Sequence, residues 1–476
     1  MILRIDVLPD DILLEIFGFY MDSDSDTSIP YIARGKKEME AWQLLVHVCR
    51  RWRILVFGSP RRLGLRLFCT PETPAKDTLD VWPALPLIIV SSLALSALSP
   101  PVTDNVIAAL GQSNQAREVS LWHLAGWQLG KVLAQMQVSF PELTLLHLLS
   151  DDETPPVIPD SFLGGSAPRL QVLWLNSILF PGLPKLLLSA THLVELDLTD
   201  IPHSGYISPE AIVAALSTLS SLKSFQLQFR SPRSHPDWES QSLPPPKRSV
   251  LPALDNFRFK GVTEYLEELV TRIDTPQINY MFITFFNQID FHCPQLAQFV
   301  NRTPTLRTLD DARVRFRNFT ASVRLRSLKP KITPKIGFGD LLIEISCREP
   351  DWQLSSIEQV CDPTLHPLST VEDFYIEHEY SELVWKDDDI ENTLWLQLLI
   401  PFIAVKNLYL SKEFAPGIAA ALQELVGITQ VLPSLQNIFV EGLDSEPSGS
   451  FQEYIGRFIA ARRLSDHLIT ISDWST

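Results

Sequence analysis

Between residues 116 and 440 the chain returns repeatedly to one six-residue pattern, apolar-x-x-apolar-x-apolar. It reads LTLLHL at 143–148, LQVLWL at 170–175, LVELDL at 193–198, LKSFQL at 222–227, LDNFRF at 254–259 and INYMFI at 278–283. Copies with one weak or broken position stand at 116–121, 306–311 and 340–345. VEDFYI, VKNLYL and LQNIFV, at 371–376, 405–410 and 435–440, complete the series. The fourth positions follow one another at intervals of 23 to 34 residues. Alternation at the end of each motif predicts a short strand, with positions four and six facing inward and position five outward. The intervals predict helices. Ser208 before Pro209 opens one at 209–219, with serine as cap and proline in the first turn, and Cys293-Pro294 opens another at 294–300. Strand and helix alternating at this period predict one continuous array.

Ahead of the array the period changes. Ile12, Leu13, Ile16, Phe17 and Tyr20 recur at three- and four-residue spacing behind Pro9-Asp10-Asp11. Trp42, Leu45, Val46, Val48, Cys49, Trp52 and Leu55 form a second amphipathic segment over 38–57. The acidic, serine-rich stretch 21–30 between them predicts a solvated loop. Helices of this total length form a marginal core alone, so the unit is expected to lean on a partner. The apolar stretch 84–98 is bounded by prolines and interrupted by serines. It falls short of the ~20 apolar residues a bilayer span needs, so a buried strand and a short helix are expected there.

Leu8-Pro9, the Ile12/Leu13/Ile16/Phe17 stripe and Val48-Cys49-Arg50-Arg51-Trp52-Arg53, followed by Ser59-Pro60, together resemble an F-box. The likeness is to the F-box proteins abundant in mushroom-forming fungi, and it covers residues 4–68. It implies docking to the Skp-type adaptor of a cullin-RING ubiquitin ligase, with Leu8, Pro9, Ile12, Leu13, Ile16, Phe17, Val48 and Trp52 carrying the contact. The array resembles divergent leucine-rich repeats. The fold expected is therefore α/β: a small N-terminal helical F-box at 4–68, then an irregular leucine-rich-repeat solenoid at 69–476. Parallel strands would line its concave face, helices its outside, and a proline-rich insert at 231–252 would form a mobile loop. The asparagine that such repeats carry after the third apolar position is mostly missing, Asn176 excepted, so no asparagine ladder is expected.

Composition narrows function more than fold. The 476 residues carry 40 Lys and Arg against 56 Asp and Glu, a net charge of −16, which argues against nucleic acid as a partner. With 19 glycines against 36 prolines, glycine-rich cofactor loops are disfavoured and proline-led turns favoured. Five cysteines without a CxxC pair read as reduced thiols of a cytoplasmic or nuclear protein with no membrane span. There is no P-loop, HExxH or GxSxG pattern, and Glu377-His378-Glu379 reads as a solvated strand end. A chain without catalysis, cofactor or metal is expected.

The function expected is that of a substrate receptor in an SCF-type ubiquitin ligase, which tethers an unknown protein substrate near catalytic subunits. The alternative is a repeat scaffold unconnected with ubiquitin, whose N-terminal helices only cap the solenoid. Two surfaces are candidates for the substrate. Position five of the motifs reads Ser120, His147, Trp174, Asp197, Gln226, Arg258, Phe282, Asp310, Glu344, Tyr375, Tyr409 and Phe439. Trp174, Tyr375, Tyr409 and Phe439 are the types that recognition surfaces use, unless a C-terminal tail or the loops cover them. The second candidate is electrostatic. Ten basic residues between Arg302 and Lys335 are opposed only by Asp310 and Asp311, an excess of eight positive charges. Arg313, Arg315 and Arg317 fall on one strand face there and predict a site for an acidic or phosphorylated segment. The alternative is a solvated strand that balances acidic loops elsewhere.

Overall fold

The array forms the strands its alternation predicts, with one exception that changes the strand order. The computed structural model describes residues 8–22, 41–60, 62–69, 79–90, 100–153, 156–232, 248–288, 290–307, 309–327, 339–379, 392–424, 431–442, 449–464 and 468–474. Most of the expected loop at 21–30, the body of the 231–252 insert, and Lys329, Lys331 and Lys335 lie outside the described residues.

The chain divides into two units, Met1–Gly205 and Tyr206–Thr476. The first opens with helices α1 (Asp10–Asp22), α2 (Ala41–Val48) and α3 (Arg50–Gly58). Six strands follow: β1 (Leu67–Cys69), β2 (Leu87–Val90), β3 (Ala116–Leu124), β4 (Leu145–Ser150), β5 (Val172–Asn176) and β6 (Glu195–Ile201). They pair in chain order and are all parallel. Helices α4 (Pro100–Leu110), α5 (Gly126–Gln135) and α6 (Leu183–Leu187) lie in the connections. Leu146, Leu148, Leu173, Leu175, Leu196 and Leu198, at positions four and six, are all buried. Each such leucine contributes about 1.5–3 kcal/mol of burial, which pins the register. The apolar stretch at 84–98 supplies β2, whose Leu87, Ile88 and Ile89 are buried. Among the described residues no helix is long and apolar enough to cross a membrane.

The N-terminal helices share this unit with the first repeats, with no break at residue 68. Trp42 is buried, and its indole N–H donates to the Arg66 carbonyl at 3.1 Å. Its ring meets Trp82 edge-on at 5.1 Å and Phe57 at 6.1 Å. The partner on which the small helical core leans is thus the start of the sheet.

The second unit holds β7 (Ser224–Phe229), β8 (Ser249–Val250), β9 (Asn256–Gly261), β10 (Ile273–Asp274), β11 (Tyr280–Phe285) and β12 (Asp311–Phe316). It continues with β13 (Thr320–Arg326), β14 (Asp340–Ser346), β15 (Asp373–His378), β16 (Asn407–Leu410), β17 (Asn437–Val440) and β18 (Thr470–Asp473). Its helices are α7 (Pro209–Leu216), α8 (Thr263–Arg272), α9 (Pro294–Arg302), α10 (Pro350–Val360), α11 (Asn392–Leu399), α12 (Ala415–Glu424) and α13 (Gly449–Leu464). The α7 start is as predicted, with Ser208 Oγ accepting from the Ala211 N–H at 3.2 Å and Pro209 in the first turn. At the end of the proline-rich insert, Ser249 and Val250 form a short strand paired with β10 rather than loop.

The exception lies at 306–346. The motif at 306–311 was expected to be a strand, but β12 begins only at Asp311. Leu306 and Leu309 are buried ahead of it, and Ala312, Val314 and Phe316 supply its inward face. The strand order is β7-β9-β11-β14-β13-β12-β15-β16-β17-β18. The chain passes from β11 to a site two strands beyond its neighbour and returns through antiparallel β13, and β14 then takes the parallel place beside β11. Ala321, Val323 and Leu325 alternate inward along β13, so this extra strand fits the same core.

Candidate functional site

Helix α1 splits its apolar residues between two faces. Leu13 and Phe17 are 0% and 1% exposed, and Phe17 packs on Trp52 with ring centroids 4.7 Å apart. Ile12, Ile16 and Phe19 are 43%, 43% and 74% exposed and form a second stripe at four- and three-residue spacing. Of the residues expected to carry adaptor contact, Leu13 and Phe17 are therefore interior to the helical unit, because they fill its small core. Pro9, Ile12, Ile16 and Val48 reach the surface, while Leu8 and Trp52 are half-buried. Leu44 and Ile54 add exposed apolar side chains on α2 and α3. The two halves of the motif meet in space. Arg51 pairs with Asp10 at 2.6 Å and donates to the Leu8 carbonyl at 2.6 Å, fixing the start of α1 against α3.

On the open face of the first sheet, position five aligns as expected: Ser120 beside His147, His147 beside Trp174, Trp174 beside Asp197. His147 and Trp174 stack at 4.1 Å, 15° from parallel, and Trp122 meets His147 edge-on at 5.6 Å. Burial lowers the His147 pKa to about 4, so the ring is uncharged at neutral pH. Trp122 was not foreseen, because it stands one turn of the pleat beyond the repeated motif.

In the second unit the row runs Gln226, Arg258, Phe282, Leu342, Arg324, Arg313, Tyr375, Tyr409, Phe439. Asp310 and Glu344, expected in it, are not. The late start of β12 brings Arg313 into line, and Leu342 stands beside Phe282.

The described arginines of β12 and β13, together with Arg317, meet carboxylates. Arg315 pairs with Glu377 at 2.6 Å, and Arg313 reaches Glu377 at 3.3 Å and Asp311 at 3.5 Å. Arg317 pairs with Glu379 at 2.6 Å, Arg326 with the buried Asp311 at 2.6 Å, and Arg324 with Asp340. Glu377 and Glu379 are thus partners of these arginines and not a solvated strand end. An anion approaching Arg313, Arg315 or Arg317 would have to displace a carboxylate already in place. The expected site for an acidic or phosphorylated segment at these three residues is therefore not what the geometry offers.

The aromatic row is continuous. Tyr375 stacks on Tyr409 at 4.1 Å and Tyr409 on Phe439 at 4.6 Å, both within 10° of parallel. The Arg313 guanidinium lies over the outer face of Tyr375, 4.3 Å from its centre. Trp474, just beyond β18, meets Tyr375 and Tyr409 at 5.8 and 5.5 Å. One C-terminal residue therefore covers part of the row, and all four rings stay half-exposed. Burial pushes both tyrosine hydroxyls above their ordinary pKa. A polar ladder runs beside them at the strand starts. Asn407 donates to Asp373 at 2.7 Å, Asn437 to Asn407 at 2.7 Å, and Thr470 to Asn437 at 2.6 Å. No ladder was expected; this one uses motif position three, at the other end of the strand from the usual asparagine.

A cavity of about 20 Å³, lined by Phe285, Cys293, Leu296 and Ile343, has room for about one water. Burial pushes the Cys293 thiol up, away from the thiolate that nucleophilic chemistry needs. Among the described residues no group of three or more His, Cys, Asp or Glu could hold a metal ion.

No family model matches the chain, and no curated protein matches it. Among solved structures, the leucine-rich repeat-containing protein LegL7 from Legionella pneumophila is similar over 83% of this chain and 97% of its own. The identity is 12% and the TM-score 0.27. The architecture is assigned by the chain's own register: leucine-rich-repeat-like stacks of strand and helix in both units, with one reversed strand pair in the second.

Proposed function

We propose that this chain is the substrate-receptor subunit of a cullin-RING (SCF-type) ubiquitin ligase. It docks a Skp-type adaptor through its N-terminal helices and holds a protein target on the open face of its repeats. Its part in the reaction is tethering, which raises the target's effective concentration near catalytic subunits and requires no cofactor from this chain. One observation carries the reading: α1 fills the local core with Leu13 and Phe17 and still exposes Ile12, Ile16 and Phe19 in a row. A helix that serves only a local core has no use for a second apolar stripe.

The test is co-purification of the full chain with a recombinant Skp-type adaptor. Ile12→Asp combined with Ile16→Asp should abolish capture without moving the unfolding midpoint. Undiminished capture by that variant would overturn the proposal. The scaffold alternative draws on Trp42, whose packing on Arg66 and Trp82 makes the helices a cap on the first strands. Trp42 supports capping, but it stands on α2 while the exposed Ile12 and Ile16 stand on α1, so it does not argue against docking.

A further inference from the structure

Among the described residues, Arg302, Arg313, Arg315, Arg317, Arg324 and Arg326 meet carboxylates, but two other cations on the open face of the second unit have none within ion-pair distance. Arg258 and Lys260 stand two residues apart on β9, both half-buried, while Phe257 and Phe259 between and before them face the core. Among the described residues neither cation has a carboxylate within 4 Å, and the buried Arg258 Nε has no hydrogen-bond partner. Each is instead held over a ring, Arg258 at 5.4 Å from the centre of Tyr280 and Lys260 at 5.6 Å from that of Phe286. The flanking strand β7 presents only Gln226 and Gln228 in register with them. On the other side stand Phe282 and Thr284 of β11, then Leu342 and Glu344 of β14. The Glu344 carboxylate feels the charge of Lys260. It lies beyond Thr284, and Arg317 also draws on it at 3.9 Å.

We propose that Arg258 and Lys260 form the site at which the open face receives an acidic segment of the protein target. The inference rests on the reading of that face as target-binding. In a protein of net charge −16, a guanidinium left without a carboxylate on a recognition face is the exception among the arginines described there. The spacing defines the ligand further. Residues two apart on a strand lie about 7 Å from one another, the same repeat an extended peptide uses for side chains on one side. Two carboxylates in an acid-x-acid arrangement therefore match the two cations, with the guanidinium fork taking one of them bidentately. The aromatic rings fix both cations in place, so little side-chain freedom is lost on binding. Phe282 and Leu342 offer an apolar shelf beside them for a neighbouring side chain.

A random twelve-residue peptide library selected on the full chain at 0.15 M salt tests this. The wild type should enrich peptides with Asp or Glu at positions i and i+2. Arg258→Glu with Lys260→Glu should weaken their binding by about tenfold or more, since like charges then face each other. Arg258→Gln with Lys260→Gln, which keeps size and removes charge, should show the same loss if charge reversal disturbs folding. Enrichment of no peptide, of peptides without the acidic pair, or binding unaffected by both variants would overturn the inference. Adaptor capture measured on the same proteins separates the two ideas. Capture that persists while acid-x-acid enrichment fails removes this inference alone, whereas failed capture in the wild type removes the ligase reading.

Discussion

Ile16 and Phe17 are neighbours in sequence with opposite roles, and only burial separates them. Phe17→Ala opens a cavity against Trp52 and should cost about 3–5 kcal/mol, read by chemical denaturation. Ile16→Asp changes a side chain already 43% exposed and should leave stability unchanged. His147 makes a second prediction at this scale. Its folded pKa is about 4 against an unfolded value of 6.5, so folding favours the neutral ring. The stability this gives is fully present above pH 6.5 and is lost as pH falls towards 4, because the unfolded chain takes up the proton first. The total is about 3 kcal/mol for a shift of that size. In urea titrations at pH 7 and pH 4, His147→Phe should lose about that much less stability than the wild type. An equal loss in both would show that His147 does not titrate in this way. The aromatic identities of Trp174, Tyr375, Tyr409 and Phe439 were legible because each occupies a fixed place in the motif. Trp122 and Trp474 were not, since they lie outside it.

At the scale of elements, the strands at 143–148, 170–175, 193–198 and 222–227 could be read directly, because alternation recurring within one chain leaves one register. The β12–β14 segment could not. Its inward residues Ala321, Val323 and Leu325 alternate as well as any other strand, and the long interval from 309 to 343 leaves room for it. Alternation, however, states which face is buried and not which strand lies alongside. Asp311 is what ties the reversed pair together, fully buried between Arg313 and Arg326. Asp311→Ala leaves two guanidiniums without their shared carboxylate and should destabilise the second unit by about 3–5 kcal/mol in guanidinium titration. A change below 1 kcal/mol would mean that the pairing is replaceable and the strand order is set by apolar packing alone.

At the scale of the molecule, the basic segment inside an acidic protein has a structural use. Most of its described arginines meet carboxylates from β12, β14, β15 or the residue after β15, so the local positive excess holds strands together. The N-terminal helices belong to the first unit by the same logic of contact, through Trp42. Trp42→Ala should lower the stability of that unit by about 3–5 kcal/mol, measured by denaturation with tryptophan fluorescence. The surface pair Ile12→Asp and Ile16→Asp should leave it intact while removing adaptor capture. If the surface pair destabilises as much as Trp42→Ala does, the exposed stripe is part of a cap and not a docking face.

The sequence by itself determined the repeating strand, its inward and outward positions, the helix starts and the change from helical to alternating periodicity along the chain. These follow from local periodicity and capping, which depend on near neighbours along the chain. Only the tertiary structure decided the strand order around β13 and which apolar residues of α1 stay at the surface. It alone also separated the arginines that meet carboxylates from Arg258 and Lys260 on β9, which have none within 4 Å among the described residues. Each of those depends on which distant groups come within a few ångströms, and hydrophobic alternation is blind to that because it is satisfied equally by any neighbour of the right pleat.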